Sequence, residues 1–342
     1  MEPEKLIEVL RGELVESSHF GHVVISDNRG NLRACWGNPD EIIFPRSSCK
    51  MLQALPLLES GSADHYNLDS RHLALACASH SGGKAHLEVA TDWLQKLRLE
   101  KRHLLCGSHK PEDIAEAKYL NEKGLKPTPL HNNCSGKHLG FLTLAAKFQS
   151  KQYRNVDYID VTHPVQKMVK EVFEQMTGFV NPKFALDGCS APNFSCSIKG
   201  LAKSMANLAR PEGFGGRRKM AIRRLQEAVL LHPDLIAGEE RLCTKLIRRS
   251  AGRFIVKVGA EGVYTAILLK EGLGVAVKIT DGARRAAECL IVTILVRLGL
   301  LNENDPEIQT KLNTPVINWA NRTTGVLKAS DAIWEGGKHL PI

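Results

Sequence analysis

Short apolar runs bounded by turn-forming residues open the chain. Leu14-Val15-Glu16-Ser17-Ser18 and His22-Val23-Val24-Ile25-Ser26 precede the polar turn Asp27-Asn28-Arg29-Gly30, and Leu32-Arg33-Ala34-Cys35-Trp36 follows it. This pattern predicts a hairpin over 12–36. Pro45 and the two serines after it open a helix to about Leu58, disturbed at Pro56. Further helices fit 84–96, 112–123 and 136–148, and another opens at Thr162-His163-Pro164 and stops at Gly178. Residues 183–187 form a short strand leading into Gly188. From 197 to 250 the pattern is helical, broken by Pro211-Glu212-Gly213-Phe214-Gly215-Gly216. At 253 the period changes. Runs at 254–258, 263–269 and 275–279, separated by Gly259, Gly262, Gly272 and Gly274, predict a three-stranded meander, and a long helix follows over 282–300.

Strands therefore sit at both ends and helices between them. The fold class that follows is α/β of the α+β type. One mainly antiparallel sheet is built from both chain ends and flanked by helices, with a helical region of about 84–250 inserted. Alternating βαβ units are absent from the pattern, as are G-x-G-x-x-G after a strand and G-x-x-x-x-G-K-[ST], so nucleotide cradles have no support.

The length of 342 residues is ample for a core, and 43% apolar with 24% charged residues describes an ordinary globular chain. The longest apolar run, Cys289 to Leu301, carries Arg297 and is too short for a bilayer, so it reads as a core helix. The start, Met1-Glu2-Pro3-Glu4-Lys5, is acidic and no apolar signal core follows, which gives a cytoplasmic expectation without a membrane partner. Nine cysteines, an odd number with no C-x-x-C, read as reduced thiols. The net charge of +9 raises nucleic acid as a partner. The basic stretches Arg217-Arg218-Lys219 with Arg223-Arg224, and Lys245 with Arg248-Arg249, lack interleaved aromatics. They read as solvated helix faces, so no nucleic acid is expected.

Five strings could carry chemistry. In Ser47-Ser48-Cys49-Lys50, Ser47 and Lys50 stand i and i+3, neighbours on one helix face. A neutral lysine there can take the serine proton, and a helix N-terminus favours the resulting alkoxide; a capping serine beside an exposed lysine fits the same string. Ala78-Ser79-His80-Ser81-Gly82-Gly83 follows a buried run and suits a pocket floor with accessible N–H groups, or a polar turn. Asn132-Asn133-Cys134-Ser135-Gly136-Lys137-His138 opens a helix, a natural ligand site. Asp187-Gly188-Cys189-Ser190 is a sharp turn with a thiol. The thiols of the last two strings are either small buried groups or zinc ligands, and Cys134-x-x-Lys137 is no standard zinc spacing. Lys257-Val258-Gly259 resembles the K-T-G of penicillin-recognising serine enzymes, where the strand borders the nucleophile and the glycine leaves room for substrate.

Together these strings resemble the rhizobial-type, or class 3, L-asparaginases, the asparaginase II family. The matching residues are Arg46-Ser47-Ser48-Cys49-Lys50, Cys77-Ala78-Ser79-His80-Ser81, Asn133-Cys134-Ser135-Gly136-Lys137-His138, Asp187-Gly188-Cys189, Ala237-Gly238 with Cys243-Thr244, and Lys257-x-Gly259-Ala260. They span nearly the whole chain, read as a single domain over 1–342. The sequence departs from the pattern at Ser48-Cys49 and at Glu239-Glu240. The resemblance implies a serine β-lactamase/glutaminase-like fold, a homodimer, and hydrolysis of L-asparagine to L-aspartate and ammonia. It implies two Ser-Lys pairs, Ser47 with Lys50 and Ser79 with Lys257. It also implies one Zn2+ held by Cys134, Lys137 and Cys189, with Arg46, His80, Ser81, His138 and Asp187 near the substrate. Asparagine is zwitterionic, so Asp187 suits its α-ammonium and Arg46 its α-carboxylate. Other readings are a glutaminase or β-lactamase-like amidohydrolase, although the S-D-N string of β-lactamases is missing, and a non-catalytic zinc- or ligand-binding relative.

Overall fold

Strand-forming segments gather from both ends of the chain. The computed structural model describes residues 2–146 and 157–336. Its strands are β1 (Glu4–Arg11), β2 (Leu14–Asp27), β3 (Leu32–Trp36), β4 (Ile42–Ile43), β5 (Phe184–Leu186), β6 (Pro192–Phe194), β7 (Cys196–Ser197), β8 (Phe254–Val258), β9 (Val263–Leu268), β10 (Leu273–Ile279), β11 (Asn313–Ile317) and β12 (Thr323–Ala329). The fold is a mixture of helix and antiparallel sheet. Two compact units divide it: Met1–Ser48, Cys196–Arg210 and Arg249–Ile342 form the first, and Cys49–Ser195 with Pro211–Arg248 form the second.

In the first unit an eight-stranded antiparallel sheet runs β11-β12-β1-β2-β10-β9-β8, with β3 also on β2. Residues 23–26 of β2 pair with both β10 and β3, so those two strands hold opposite edges of it. All six residues of β9 are buried. Successive strand residues face opposite sides, so both faces of the sheet are covered at its middle. The helices Ile198–Ala209 and Arg284–Arg297 both pack on β9 and β10. The meander predicted over 254–279 is β8, β9 and β10. The hairpin over 12–36 is present, but its first arm is one strand, β2, rather than two runs. Two neighbours were not predicted. β1 and the distant β11–β12 pair extend the sheet past β2, with β12 in register on β1 from Ile7↔Ala329 to Arg11↔Gly325.

The second unit is helical, with the two-stranded pair β5–β6 beside it. Its central helix, Lys50–Glu59, buries Lys50 through Leu58, including Pro56 within the helix. The helices Ser135–Ala145, Pro164–Thr177 and Gly216–Leu231 pack on it. The helix predicted from Pro45 begins instead as a 3-10 turn, Arg46–Cys49, and becomes α-helical at Lys50. Helices predicted over 84–96 and 112–123 are Lys84–Leu97 and Ile114–Glu122. That over 136–148 runs Ser135–Ala145, and positions 147–148 lie outside the described residues. His163 caps Pro164–Thr177, which stops at Gly178 in the left-handed conformation. Among the described residues no helix is long and apolar enough to cross a membrane.

Candidate active site

The first unit carries the Ser47 turn. Pairing of β4 with β7 fixes the chain just before it. Arg46 then takes φ +54°, a left-handed backbone that non-glycine residues adopt at a cost of about 1–3 kcal/mol. The two hydroxyls of the turn differ. Ser48 is buried and donates to the Pro45 carbonyl at 2.7 Å, whereas Ser47 is half-buried. Strand β8 ends against the same turn. Thr265 Oγ1 lies 3.2 Å from the Lys257 carbonyl and 3.5 Å from the Ser48 carbonyl. A Cβ at Gly259 would stand 2.7 Å from the Pro45 carbonyl oxygen, so this glycine makes room for the serine turn itself. Lys257 is buried on β8, and its Nζ donates to the Val258 carbonyl at 3.0 Å.

In the second unit Lys50 is fully buried at the start of its helix. Its Nζ donates to the Ala78 carbonyl, to Ser79 Oγ at 3.1 Å and to the Asn133 carbonyl at 3.2 Å. Two of these neighbours are carbonyls and can only accept. The third is a hydroxyl and can also donate. This Lys50–Ser79 contact was not anticipated from the sequence, where spacing set Lys50 beside Ser47.

The segment around Ser79 is held on its main chain. Ser79 N–H donates to the Ile236 carbonyl at 2.9 Å and Ser81 N–H to the Ala237 carbonyl at 2.8 Å. Gly238 has φ +119°, and a Cβ there would stand 2.4 Å from Ser81 Oγ, so this position requires glycine. Ser81 Oγ is buried and has no hydrogen-bond partner among the described residues. His80 is spent inside the protein. Its Nδ1 accepts from Gly82 N–H at 3.1 Å, which leaves Nε2–H to donate to Ser135 Oγ at 2.8 Å. Burial first, then His86 and Lys50, push its pKa well below the usual value. It is therefore a neutral positioning group at pH 7, stacked on His86 at 4.7 Å.

Cys134 caps the helix Ser135–Ala145, whose first turn carries Lys137 and His138. Lys137 Nζ lies 3.0 Å from Cys189 Sγ, and Cys189 hydrogen-bonds Cys134. All three side chains are buried. The bond from Cys189 does most to pull the Cys134 thiol pKa down against burial, with Lys50 and Lys137 adding to it. The same bond and burial push Cys189 up. Burial opposes a charged Lys137, but Cys189, Cys134 and Asp187 overcome it and raise its pKa. Cys189 sits on a turn closed by Ser190 N–H on the Asp187 carbonyl and Asp187 N–H on that of Ala191, with Ser190 at φ +68°. His138 Nδ1 shares a hydrogen bond with the Tyr158 hydroxyl at 2.8 Å, and its Nε2 has no partner among the described residues.

The structure thus brings Lys50, Ser79, His80, Ser81, Cys134, Lys137, His138, Asp187 and Cys189 into one unit, and Arg46, Ser47 and Lys257 into the other. The L-asparaginase II family model matches residues 7–329. The chain belongs to the L-asparaginase II family. Membership supports a hydrolase of the amide-cleaving S-x-x-K type. No curated protein matches the chain in sequence. Among solved structures, a β-lactamase from Mycobacterium bovis is 14% identical with a TM-score of 0.43, covering 81% of this chain and 94% of that one. A putative β-lactamase from Bacteroides dorei is 11% identical with a TM-score of 0.44, covering 81% of this chain and 93% of that one.

For this L-asparaginase II chain the zinc set implied by resemblance can be tested on its donors. Among the described residues, no group of three or more His, Cys, Asp or Glu side chains is placed to hold a metal. The donors here are instead two thiols, the softer kind that selects zinc over magnesium or calcium, and a lysine nitrogen on Cys189 that can ligate once it gives up its proton. With Cys134 already drawn toward the thiolate, the set fits zinc. Three features of the site escaped sequence reasoning. They are the Asn133 and Ala78 carbonyls on Lys50, the strained Arg46 backbone, and Tyr158 behind His138. Main-chain carbonyls carry no residue-type signal.

Proposed function

We propose that the chain is an L-asparaginase, hydrolysing the side-chain amide of L-asparagine to L-aspartate and ammonia. The observation that carries this reading is the buried Lys50 amine set on the Ser79 hydroxyl, in a chain of the L-asparaginase II family. Ser47 is the nucleophile. It is half-buried, where Ser48 and Ser79 are buried, and it follows a strained residue at the start of a helix. Neutral Lys50 is the base of the set, and Ser79 Oγ is the hydroxyl 3.1 Å from its amine. The Ser47 oxygen bonds to the amide carbon, the C–N bond breaks, and the Lys50 ammonium returns the proton to the leaving nitrogen as ammonia. Lys50, neutral again, takes a proton from water as the water oxygen bonds to the ester carbon; the C–O bond to Ser47 breaks and the proton goes to the serine oxygen, releasing aspartate. Lys257 is the lysine of the second Ser-Lys pair, with Ser79. Arg46 takes the α-carboxylate and Asp187 the α-ammonium. Cys134, Lys137 and Cys189 would hold one Zn2+, which supplies a fixed positive charge that organises the substrate site.

The test is ammonia release from L-asparagine by the purified protein, beside L-glutamine, with mass spectrometry of a rapidly quenched reaction. Expected are turnover of asparagine above glutamine and an aspartyl ester on the peptide holding Ser47. An ester on Ser79, or no ammonia from a folded sample, rejects the assignment.

A further inference from the structure

The segment before helix Ile114–Glu122 packs directly on the Ser79 string. A Cβ at Gly82 would stand 3.1 Å from Pro111 Cβ. Asp113 N–H donates to the Ser81 carbonyl at 3.0 Å, and Glu112 pairs with Arg241. Further back, the Cys106 carbonyl accepts from Asn132 Nδ2 at 2.8 Å. Between these anchors Gly107, Ser108 and Lys110 are exposed, whereas His109 is half-buried. Its ring has a partner on each side. Nε2 lies 2.9 Å from the Asn133 amide nitrogen, and Nδ1 lies 2.8 Å from the Lys110 carbonyl oxygen. An N–H must meet a lone pair and a carbonyl must meet an N–H. One form of the ring satisfies both: neutral, with its proton on Nδ1. His109 therefore serves as the acceptor for a main-chain N–H.

Asn133 is the residue whose carbonyl takes Lys50 Nζ at 3.2 Å, and the same oxygen takes the His80 N–H at 3.3 Å. The other two partners of that amine, the Ala78 carbonyl and Ser79 Oγ, lie on the Ser79 string, which is tied to Ile236 and Ala237. Asn133 lies on a different piece of chain. The residue after it is held by Asn132, whose Oδ1 accepts from Cys134 N–H at 2.8 Å. For the N–H of Asn133 itself, His109 is the only acceptor among the described residues. The nitrogen and the carbonyl carbon of one residue are two bonds and about 2.5 Å apart. A shift of the N–H therefore moves the carbonyl with it, and the amine that rests on that carbonyl.

We propose that His109 is a positioning residue for Lys50: its ring fixes the Asn133 main chain, and the Asn133 carbonyl fixes the amine. For the role of Lys50 as base the inference rests on the asparaginase reading, whereas the placement of the amine does not. A reacting group misplaced by about 1 Å costs about 10²-fold in rate. Loss of the His109 acceptor should therefore lower kcat by about 10–100-fold. KM should change little, because neither Arg46 nor Asp187, the groups assigned to the charges of the substrate, is touched.

Two variants of the full chain test this. His109→Leu fills much of the ring's space and accepts nothing, while His109→Gln can set an amide oxygen where Nε2 stood. Carbon-13 at lysine Cε, with the Lys50 signal assigned by its loss in Lys50→Met, reads the amine. Amide hydrogen exchange followed by mass spectrometry reads the Asn133 N–H, and ammonia release from L-asparagine reads turnover. In His109→Leu the Lys50 signal should move, the Asn133 amide should exchange faster and kcat should fall with KM nearly unchanged. His109→Gln should bring all three back toward the native values. A folded His109→Leu with native Lys50 signal and native Asn133 exchange overturns the proposal. So does a His109→Gln that behaves like His109→Leu, because the ring then acts by its shape. Nitrogen-15 spectra of labelled histidine in the unaltered protein, with His109 assigned by its loss in His109→Gln, should show the proton on Nδ1. A proton on Nε2 overturns the proposal even where the leucine variant folds poorly. Absence of ammonia from the unaltered protein rejects the asparaginase reading alone, since the Lys50 signal and the Asn133 exchange still decide the placement.

Discussion

Replacing Lys50 by methionine separates what this residue does for the reaction from what it does for the fold. Methionine is unbranched and apolar, and it fills much of the same buried space. The chemical loss is the Lys50 amine, 3.1 Å from Ser79 Oγ. Proton transfer by a positioned side chain is worth about 10²–10⁴-fold, so turnover should fall by that factor. Hydroxyl and base act as one unit, so adding Ser79→Ala to Lys50→Met should cost little more. The structural loss is smaller than the full burial of Lys50 suggests. The Asn133 carbonyl keeps the His80 N–H at 3.3 Å, and the Ala78 carbonyl is left to find another donor. One unpaired buried carbonyl costs about 1–3 kcal/mol. The Lys50→Met variant should therefore stay folded, losing no more than about 1–3 kcal/mol of stability, while being inactive. Ammonia release at saturating asparagine and a thermal melt followed by circular dichroism read the two sides. More than a tenth of native turnover in Lys50→Met refutes the base assignment. Loss of activity that comes only with a large drop in melting temperature makes Lys50 a structural residue instead.

Glu288 gives a stability prediction with a defined pH sign. On the helix Arg284–Arg297 its carboxylate accepts from Arg284 at 2.9 Å and from Lys311 at 3.0 Å. Burial opposes the charge, but Lys311 and Arg284 outweigh it and hold the pKa below the ordinary value. A depressed folded pKa stabilises above the unfolded value near 4.3 and is lost as pH falls through the folded one. Glu288→Gln should lower the melting temperature at pH 7, and the gap to the native chain should shrink below about pH 4; a gap that stays constant from pH 7 to pH 3 removes the linkage. The metal set predicts about one zinc per chain in protein purified without chelator, and loss of that zinc in Cys189→Ala. If the ion organises the site, this variant should raise KM more than it lowers kcat. Elemental analysis giving under about 0.1 zinc per chain, or abolished turnover at saturating substrate, counts against that role.

What the sequence made legible follows from which interactions are local. The β8–β10 meander was readable because each strand pairs with the next across a glycine-bearing turn. Helix Pro164–Thr177 was readable because its cap and its stop, His163 and Gly178, are residue-type signals. β1 was not. Its apolar positions Leu6, Ile7, Val9 and Leu10 lack a period of two, and the structure shows why. Register shifts against β2 fall between Lys5 and Ile7 and between Val9 and Leu10, so Leu6 and Ile7 are both buried. Its other neighbour, β12, lies some three hundred residues away along the chain. The site divides along the same line. Ser47 and Lys50 could be paired by helical spacing alone. The contact on which the proposed proton chemistry rests joins Lys50 to Ser79, 29 residues further on, and two of the three groups that amine donates to are main-chain carbonyls. A motif can name the serine and the lysine. Where the lysine nitrogen sits is set by carbonyls that any residue could supply, and that placement is why the proposed function gives Lys50 the Ser79 hydroxyl as its partner.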